Sequence, residues 1–178
     1  QGDTADIVRI MLARIVAEGE PAVRAYAEKL DGWSGPIVVP PAQIAAAGGA
    51  LPEALKAEIG YAHDNIRRFA EAQRASVADF ETELRPGLIA GQRQIPVHAA
   101  GAYVPGGRYG HIASALMTIS TAKAAGVAHV TACSPPRPGA GIPPAILYAM
   151  SLAGADTVLN LGGVQGVAAM ARGLFGTP

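Results

Sequence analysis

Three glycine-rich or proline-rich breaks in the C-terminal half stand where backbone amides could meet an anion: Pro105-Gly106-Gly107 through His111, Ser134 through Pro144, and Gly162-Gly163. Each precedes a segment of helical character, and the free N–H groups and dipole at a helix start favour negative charge. A dinucleotide pyrophosphate is the natural occupant of such a set. The strict G-x-G-x-x-G spacing is absent, and Leu161-Gly162-Gly163-Val164-Gln165-Gly166 is only a weak relative of it. The same glycines also read as plain tight turns. Few reactive groups stand nearby. Tyr103 ends an apolar run just before the first break, Gln165 lies one turn into the last helix, and Arg108 and His111 sit inside the first loop. Arg108 and His111 could read an anionic substrate or the phosphates of a cofactor. From the residues alone, Tyr103 reads first as a core tyrosine, Gln165 as a surface glutamine, and the Arg108–His111 loop as solvated.

Cys133 offers a rival chemistry. A thiolate at a helix start can attack an aldehyde and carry it to hydride transfer, but a lone cysteine in VTACS is more often a small buried hydrophobe. The four histidines are His63, His98, His111 and His129, and none is paired at i, i+4. Neither H-E-x-x-H nor C-x-x-C occurs, so no complete metal site is expected within this chain.

These candidates need elements to hold them. A strand over 97–104 leads through the first break to a helix over 114–125. A second strand over 129–133, a helix over 145–153, a third strand over 157–161 and a helix over 164–174 follow. Strands alternating with helices indicate a parallel sheet with right-handed crossovers, whose ligands sit at the carboxyl ends of the strands. Upstream, Asp3 or Thr4 can cap a first helix with Ile7, Met11 and Ile15 on one face. Pro21 opens a second, with Val23, Tyr26, Ala27 and Leu30 as its stripe and Asp31-Gly32 as its end. Ile37-Val38-Val39 reads as extended. Pro52 opens a long helix reaching about Val77, with Leu55, Ile59, Ala62, Ile66 and Phe69 on the buried side. The stretch from Phe80 to Ile95 alternates around Pro86-Gly87 as a hairpin. The fold class is therefore α/β: a Rossmann-like half of a parallel sheet (97–178), preceded by a helical N-terminal region with a small hairpin (1–96), which is expected to be part of a discontinuous first domain.

Composition bounds the partners. The chain has 178 residues and zero formal net charge, which argues against a nucleic-acid surface. No apolar run approaches the roughly 18 residues of a membrane span. The polar, acidic start QGDTAD lacks the basic region of a signal peptide. A single cysteine fits a reducing, cytoplasmic setting. Charge is uneven: 23 of the 28 Asp, Glu, Lys and Arg residues lie in 1–93, and only Arg108, Lys123, Arg137, Asp156 and Arg172 follow. So sparse a set on helices that should face water predicts that further chain, a partner subunit, or both cover them.

The stretch from Gly101 to Val127 resembles the histidinol dehydrogenase family. Its signature G-x-Y-V-P-G-G, S-x-x-L-M and A-x-x-A-G-V appears as Gly101, Tyr103, Val104, Pro105, Gly106 and Gly107, then Ser114, Leu116 and Met117, then Ala122, Ala125, Gly126 and Val127. EGEPAVRAYAEKLDG, HDNIRRFAEAQ and NLGGVQGVAAMARG extend the likeness along essentially the whole chain. The resemblance implies a zinc-assisted, NAD-dependent oxidation of a primary alcohol to a carboxylate through a bound aldehyde, in a homodimer. It implies that Tyr103 and Gln165 contact NAD, and that the zinc ligands, a Glu–His pair for proton transfer and a further cofactor-contacting asparagine lie beyond Pro178. The chain then matches only the first part of a full-length member, contains no catalytic residue, and is inactive alone. Arg108-Tyr109-Gly110-His111-Ile112 departs from the histidine-pathway pattern. This RY-x-H version resembles the sulfopropanediol dehydrogenase branch, where Arg108 and His111 would suit a sulfonate. A non-catalytic nucleotide-binding or assembly module and a thiol-dependent aldehyde dehydrogenase using Cys133 are the remaining readings.

Overall fold

The computed structural model describes residues 3–106 and 110–178; Arg108, with Gly107 and Tyr109, lies outside them. Three parallel strands form the central sheet in the order β3 (Ala99–Tyr103), β4 (His129–Ser134), β5 (Thr157–Asn160). Tyr103 stands beside Cys133, and Ser134 beside Asn160, so the carboxyl ends of the strands finish level. Their crossovers are α5 (Ile112–Ala124) and α6 (Pro144–Ala153), and α7 (Gly163–Ala171) follows β5. The strands carry small and β-branched apolar residues because both of their faces are covered.

Each face has its own apolar cluster. On one side Leu116, Ile119, Ile146, Leu147 and Met150 of α5 and α6 pack on Ala102, Val130 and Val158. α3 (Pro41–Ala47) and α4 (Glu53–Ala75) close over that layer through Ala47 and Ile59. On the other side Ala168 and Ala169 of α7 meet Ile15, Ala22, Val23 and Ala27 from α1 (Thr4–Glu18) and α2 (Glu20–Tyr26), with Cys133, Leu159 and Leu161 beneath. Small residues on α7 let the helices approach the sheet closely. The outer edge of β5 is covered by residues 37–39: Val39 N–H donates to Val158 O at 2.8 Å and Asn160 N–H to Ile37 O at 2.7 Å. The extended reading of that short segment thus becomes an antiparallel edge pairing.

The N-terminal helices keep their expected order, with three differences in what they bury. Asp3 caps α1 through the Ala5 amide, but Ile7 is exposed, because the first two turns stand clear of the core and burial begins at Met11. Leu30 is exposed as well. After α2 the chain continues as a wide π turn over Ala27–Asp31, which takes one residue more per turn than an α-helix and rotates everything after it. On α4, Ala70 rather than Phe69 continues the buried stripe. The hairpin pairs Phe80 with Gln92 across β1 (Phe80–Arg85) and β2 (Leu88–Gln92), and both of its faces are exposed.

Candidate functional site

Polar groups converge where β5 turns into α7. Gly162 is in extended backbone and Gly163 has φ +50°, a conformation that favours glycine. The Gly163 N–H, one of the free amides of α7, donates to the Tyr103 hydroxyl at 3.2 Å. Tyr103 is half-buried at the end of β3, and because its oxygen accepts here, its own proton remains available to a ligand. Gln165 is 1% exposed. Its Nε2 donates to Asp31 Oδ2 at 3.0 Å, while its Oε1 has no partner among the described residues. Asp31 Oδ2 also accepts from the Gly162 N–H at 3.0 Å.

No side chain fits at Gly162: a Cβ would lie 2.7 Å from Asp31 Oδ1 and 2.9 Å from Pro135 Cγ. A Cβ on Gly106 would also meet Pro135 Cγ at 2.9 Å. The Pro135 ring is thus wedged between the two glycine turns and holds them at a fixed spacing. A cleft of about 190 Å³ opens beside it, lined by Gly106, Gly110, Pro135, Arg137 and Ile146 among others. Larger hollows of about 410 Å³ and 450 Å³ lie along the open edge of β3 and between α4 and α5. The first is lined by one polar side chain, Thr131, and the second by Gln73, Arg74, Gln94 and Thr121, and neither is lined by Tyr103, Gly163 or Gln165.

Unpartnered buried polar atoms point largely the same way. Ser120 Oγ, Ser134 Oγ, Asn160 Oδ1 and Gln165 Oε1 lack partners among the described residues; all but Ser120, which lies within α5, belong to the carboxyl ends of β4 and β5 or the start of α7. Buried acceptors are normally satisfied, by protein, water or ligand. Asn160 commits its Nδ2 to Pro36 O at 3.0 Å, which leaves its oxygen facing away.

The sequence-predicted residues divide. Tyr103 and Gln165 come to one place, joined through the first turn of α7. His111 is exposed just before α5, with no side-chain capping bond, and no hydrogen bond ties it to Tyr103 or Gln165 among the described residues. Arg108 falls outside those residues. Cys133 has no exposed surface. Burial, and secondarily the Asp31 charge, push its thiol up to about 12, so it is neither ionised nor reachable by an aldehyde. Asp31 was not readable as a site residue: an Asp-Gly pair after a helix is an ordinary ending, and its partners lie 131 and 134 residues away. Among the described residues no group of three or more His, Cys, Asp or Glu is placed to hold a metal ion. No helix there is long and apolar enough to cross a membrane.

Comparison with known proteins gives this geometry a lineage. The chain is 72% identical over all 178 residues to a histidinol dehydrogenase homolog of Ruegeria pomeroyi, covering 41% of that protein. It is 57% identical to the sulfopropanediol 3-dehydrogenase of the same organism, covering 99% of this chain and 40% of that one. The crystal structure of histidinol dehydrogenase from Elizabethkingia anophelis superimposes with a TM-score of 0.90 at 28% identity, over 100% of this chain and 41% of that one. The chain thus spans about two-fifths of the length of the relatives it matches. The family model for histidinol dehydrogenase matches residues 1–178, and the chain belongs to the histidinol dehydrogenase family.

Proposed function

We propose that the full-length protein is an NAD-dependent dehydrogenase that oxidises a primary alcohol to a carboxylate through an aldehyde, and that this chain supplies part of its dinucleotide cradle. One observation carries the reading: the Tyr103 hydroxyl on the Gly163 amide, beside a buried Gln165 whose oxygen has no partner among the described residues. The groups fit a dinucleotide. The exposed Gly163 start of α7 favours a phosphate, the Tyr103 O–H can donate to it, and Gln165 Oε1 can accept from a hydroxyl or amide. The cleft of about 190 Å³ is below the roughly 300–1,000 Å³ of whole-ligand pockets, which suits a part of a cradle completed by other chain. NAD, when bound, supplies the hydride acceptor. What these residues do is hold it: Pro135 fixes the spacing of two turns, and Tyr103 and Gln165 orient the ligand against α7.

The reaction consumes one alcohol, one water and two NAD⁺, and yields one carboxylate, two NADH and three protons. Zinc, implied by the family, has no ligand set among the described residues, and no step is assigned to it. A homodimer is the expected assembly, consistent with the exposed Ile7, Ile10 and Val16 on α1 and the sparse charge of 94–178. The single buried cysteine suits a cytoplasmic setting. A sulfonated diol is favoured over histidinol as the substrate. Identity to the sulfopropanediol enzyme is 57%, against 37% and 38% to histidinol dehydrogenases of Methanosarcina barkeri and Parasynechococcus marenigrum, and Arg108 and His111 could meet a sulfonate. The test is a panel of alcohols, histidinol and sulfopropanediol among them, offered to the full-length protein with NAD and zinc. Two NADH per sulfopropanediol consumed is the expected result. One NADH per alcohol, or none with any alcohol, overturns the reaction, and turnover of histidinol alone overturns the substrate.

A further inference from the structure

Asp31 reaches the site from the far side of the chain. It is the last residue of the π turn over Ala27–Asp31, and Gly32, in the left-handed region at φ +61°, ends that turn. Leu30 is turned out to solvent, while the Asp31 carboxylate meets the start of α7. Its Oδ2 accepts from both the Gly162 amide and Gln165 Nε2, each at 3.0 Å.

A carboxylate can only accept, whereas a glutamine amide can present either of its ends. With Asp31 opposite it, Gln165 must turn its NH₂ inward. Its Oε1 must then face away, and it does so without a partner among the described residues, 3.3 Å from where a Cβ on Gly163 would sit. An asparagine in place of Asp31 could turn its NH₂ toward Gln165 only by giving up the Gly162 N–H, which the same oxygen accepts, whereas a side chain without an acceptor would leave Gln165 free to present either end.

We infer that Asp31 is a positioning residue for the cofactor site: it fixes the orientation of the Gln165 amide, so that the site offers the ligand an acceptor and selects a ligand hydrogen-bond donor. This rests on the proposed dinucleotide reading. Asp31 touches no reacting atom; it acts through Gln165.

The test is the NAD dissociation constant of the full-length protein, measured by calorimetry, with five variants. Asp31→Ala lets Gln165 turn over, and affinity falls about three- to tenfold. Gln165→Ala falls at least as far, and Asp31→Ala adds nothing in the Gln165→Ala background. Gln165→Glu sets two carboxylates against each other, and affinity falls more than about tenfold. The exchanged pair Asp31→Asn with Gln165→Glu sets a donor against an acceptor at the cost of the Gly162 N–H bond and still leaves an acceptor toward the ligand, so affinity recovers in part, to at least about threefold above that of Gln165→Glu alone. A purely structural role for Asp31 would not produce that rescue. Equal losses from Asp31→Ala with and without Gln165, an exchanged pair no better than Gln165→Glu, or an exchanged pair that does not fold each overturn the inference while leaving the dinucleotide reading intact. An original protein that does not bind NAD overturns both.

Discussion

The starts of α5 and α7 look alike in the sequence and differ in construction. Both follow a strand and a glycine pair. At α7 three side chains from distant segments converge: Asp31 binds the Gly162 amide and Gln165, and Tyr103 accepts from Gly163. At α5 the residue before the helix, His111, is exposed and caps nothing. A helix start attracts anions through its dipole alone by roughly 0.3–1 kcal/mol; the additional side chains distinguish a fitted site from a generic one.

Glycine substitutions test that difference most severely. Gly162→Ala must place a methyl against Asp31 Oδ1 and the rigid Pro135 ring, at 2.7 and 2.9 Å. It should cost about 2–3 kcal/mol, read as a lower denaturation midpoint with unchanged slope. Gly110→Ala, in the α5 loop, meets nothing among the described residues closer than Ile146 Cγ1 at 3.7 Å and should change stability by less than about 0.5 kcal/mol. Equal effects at the two positions would remove the distinction.

The next contrast is functional. Tyr103→Phe deprives the Gly163 amide of its acceptor and the ligand of a donor, and should weaken NAD binding about fivefold, near 1 kcal/mol. His111→Ala should leave NAD affinity within about twofold and raise KM for an anionic alcohol instead. Steady-state kinetics with each substrate varied in turn separates the two. An NAD effect at His111 as large as that at Tyr103 would join the two helix starts into one cofactor site.

These contrasts also mark what the sequence could reveal. Alternating strands and helices are local patterns, so β3, α5, β4, α6, β5 and α7 were readable to within about two residues at most ends, as was the placing of Tyr103 and Gln165 at the carboxyl side. Which face of a helix is buried depends on what lies above it. Phe69 continued a plausible stripe, yet Ala70 follows Ile59 and Ile66 along the line of contact, and at about 100° per residue Phe69 falls at the edge of that stripe. Asp31 was the largest omission. Its role depends on a π turn that no local propensity announces and on contacts across most of the chain.

Cys133 sharpens the comparison from beneath α7, where its Sγ lies 3.0 Å from a Cβ position on Gly166. Its thiol is pushed up to about 12, first by burial and then by Asp31. The folded state therefore holds its proton where the unfolded chain, with a thiol near 8.5, releases it. Stability from this group is present below about pH 8.5 and is lost as pH rises toward about 12. At pH 10 the loss should be about 2 kcal/mol. Cys133→Ala should remove this slope, whatever it does to stability at pH 7. Denaturation midpoints between pH 7 and pH 10 that fall in parallel for the two proteins would show that Cys133 contributes nothing to the alkaline loss.

The smallest effect lies at the opposite end of the sheet, where charge stabilises structure without meeting any ligand. Asp156 accepts from the Val130 amide at 2.7 Å and from Lys123 Nζ at 2.6 Å, and Lys123 also donates to Ala128 O at 3.0 Å, tying the end of α5 to β4 and β5. Burial pushes the Asp156 carboxyl up, but the Lys123 and Val130 hydrogen bonds, with the charges of Lys123 and His129, outweigh it and hold the group below the ordinary carboxylate value. A lowered folded value means that this stabilisation is present above the unfolded value near 3.9 and is lost as pH falls through the folded one. The side chains are 28% and 37% exposed, so water screens the pair and the contribution should be only about 0.5 kcal/mol. Asp156→Asn should therefore lower stability slightly at pH 7, flatten its decline between about pH 5 and pH 3, and leave NAD affinity unchanged. A change in NAD affinity there would mean that the two ends of the sheet are coupled, and that the start of α7 is not the self-contained unit its hydrogen bonds describe.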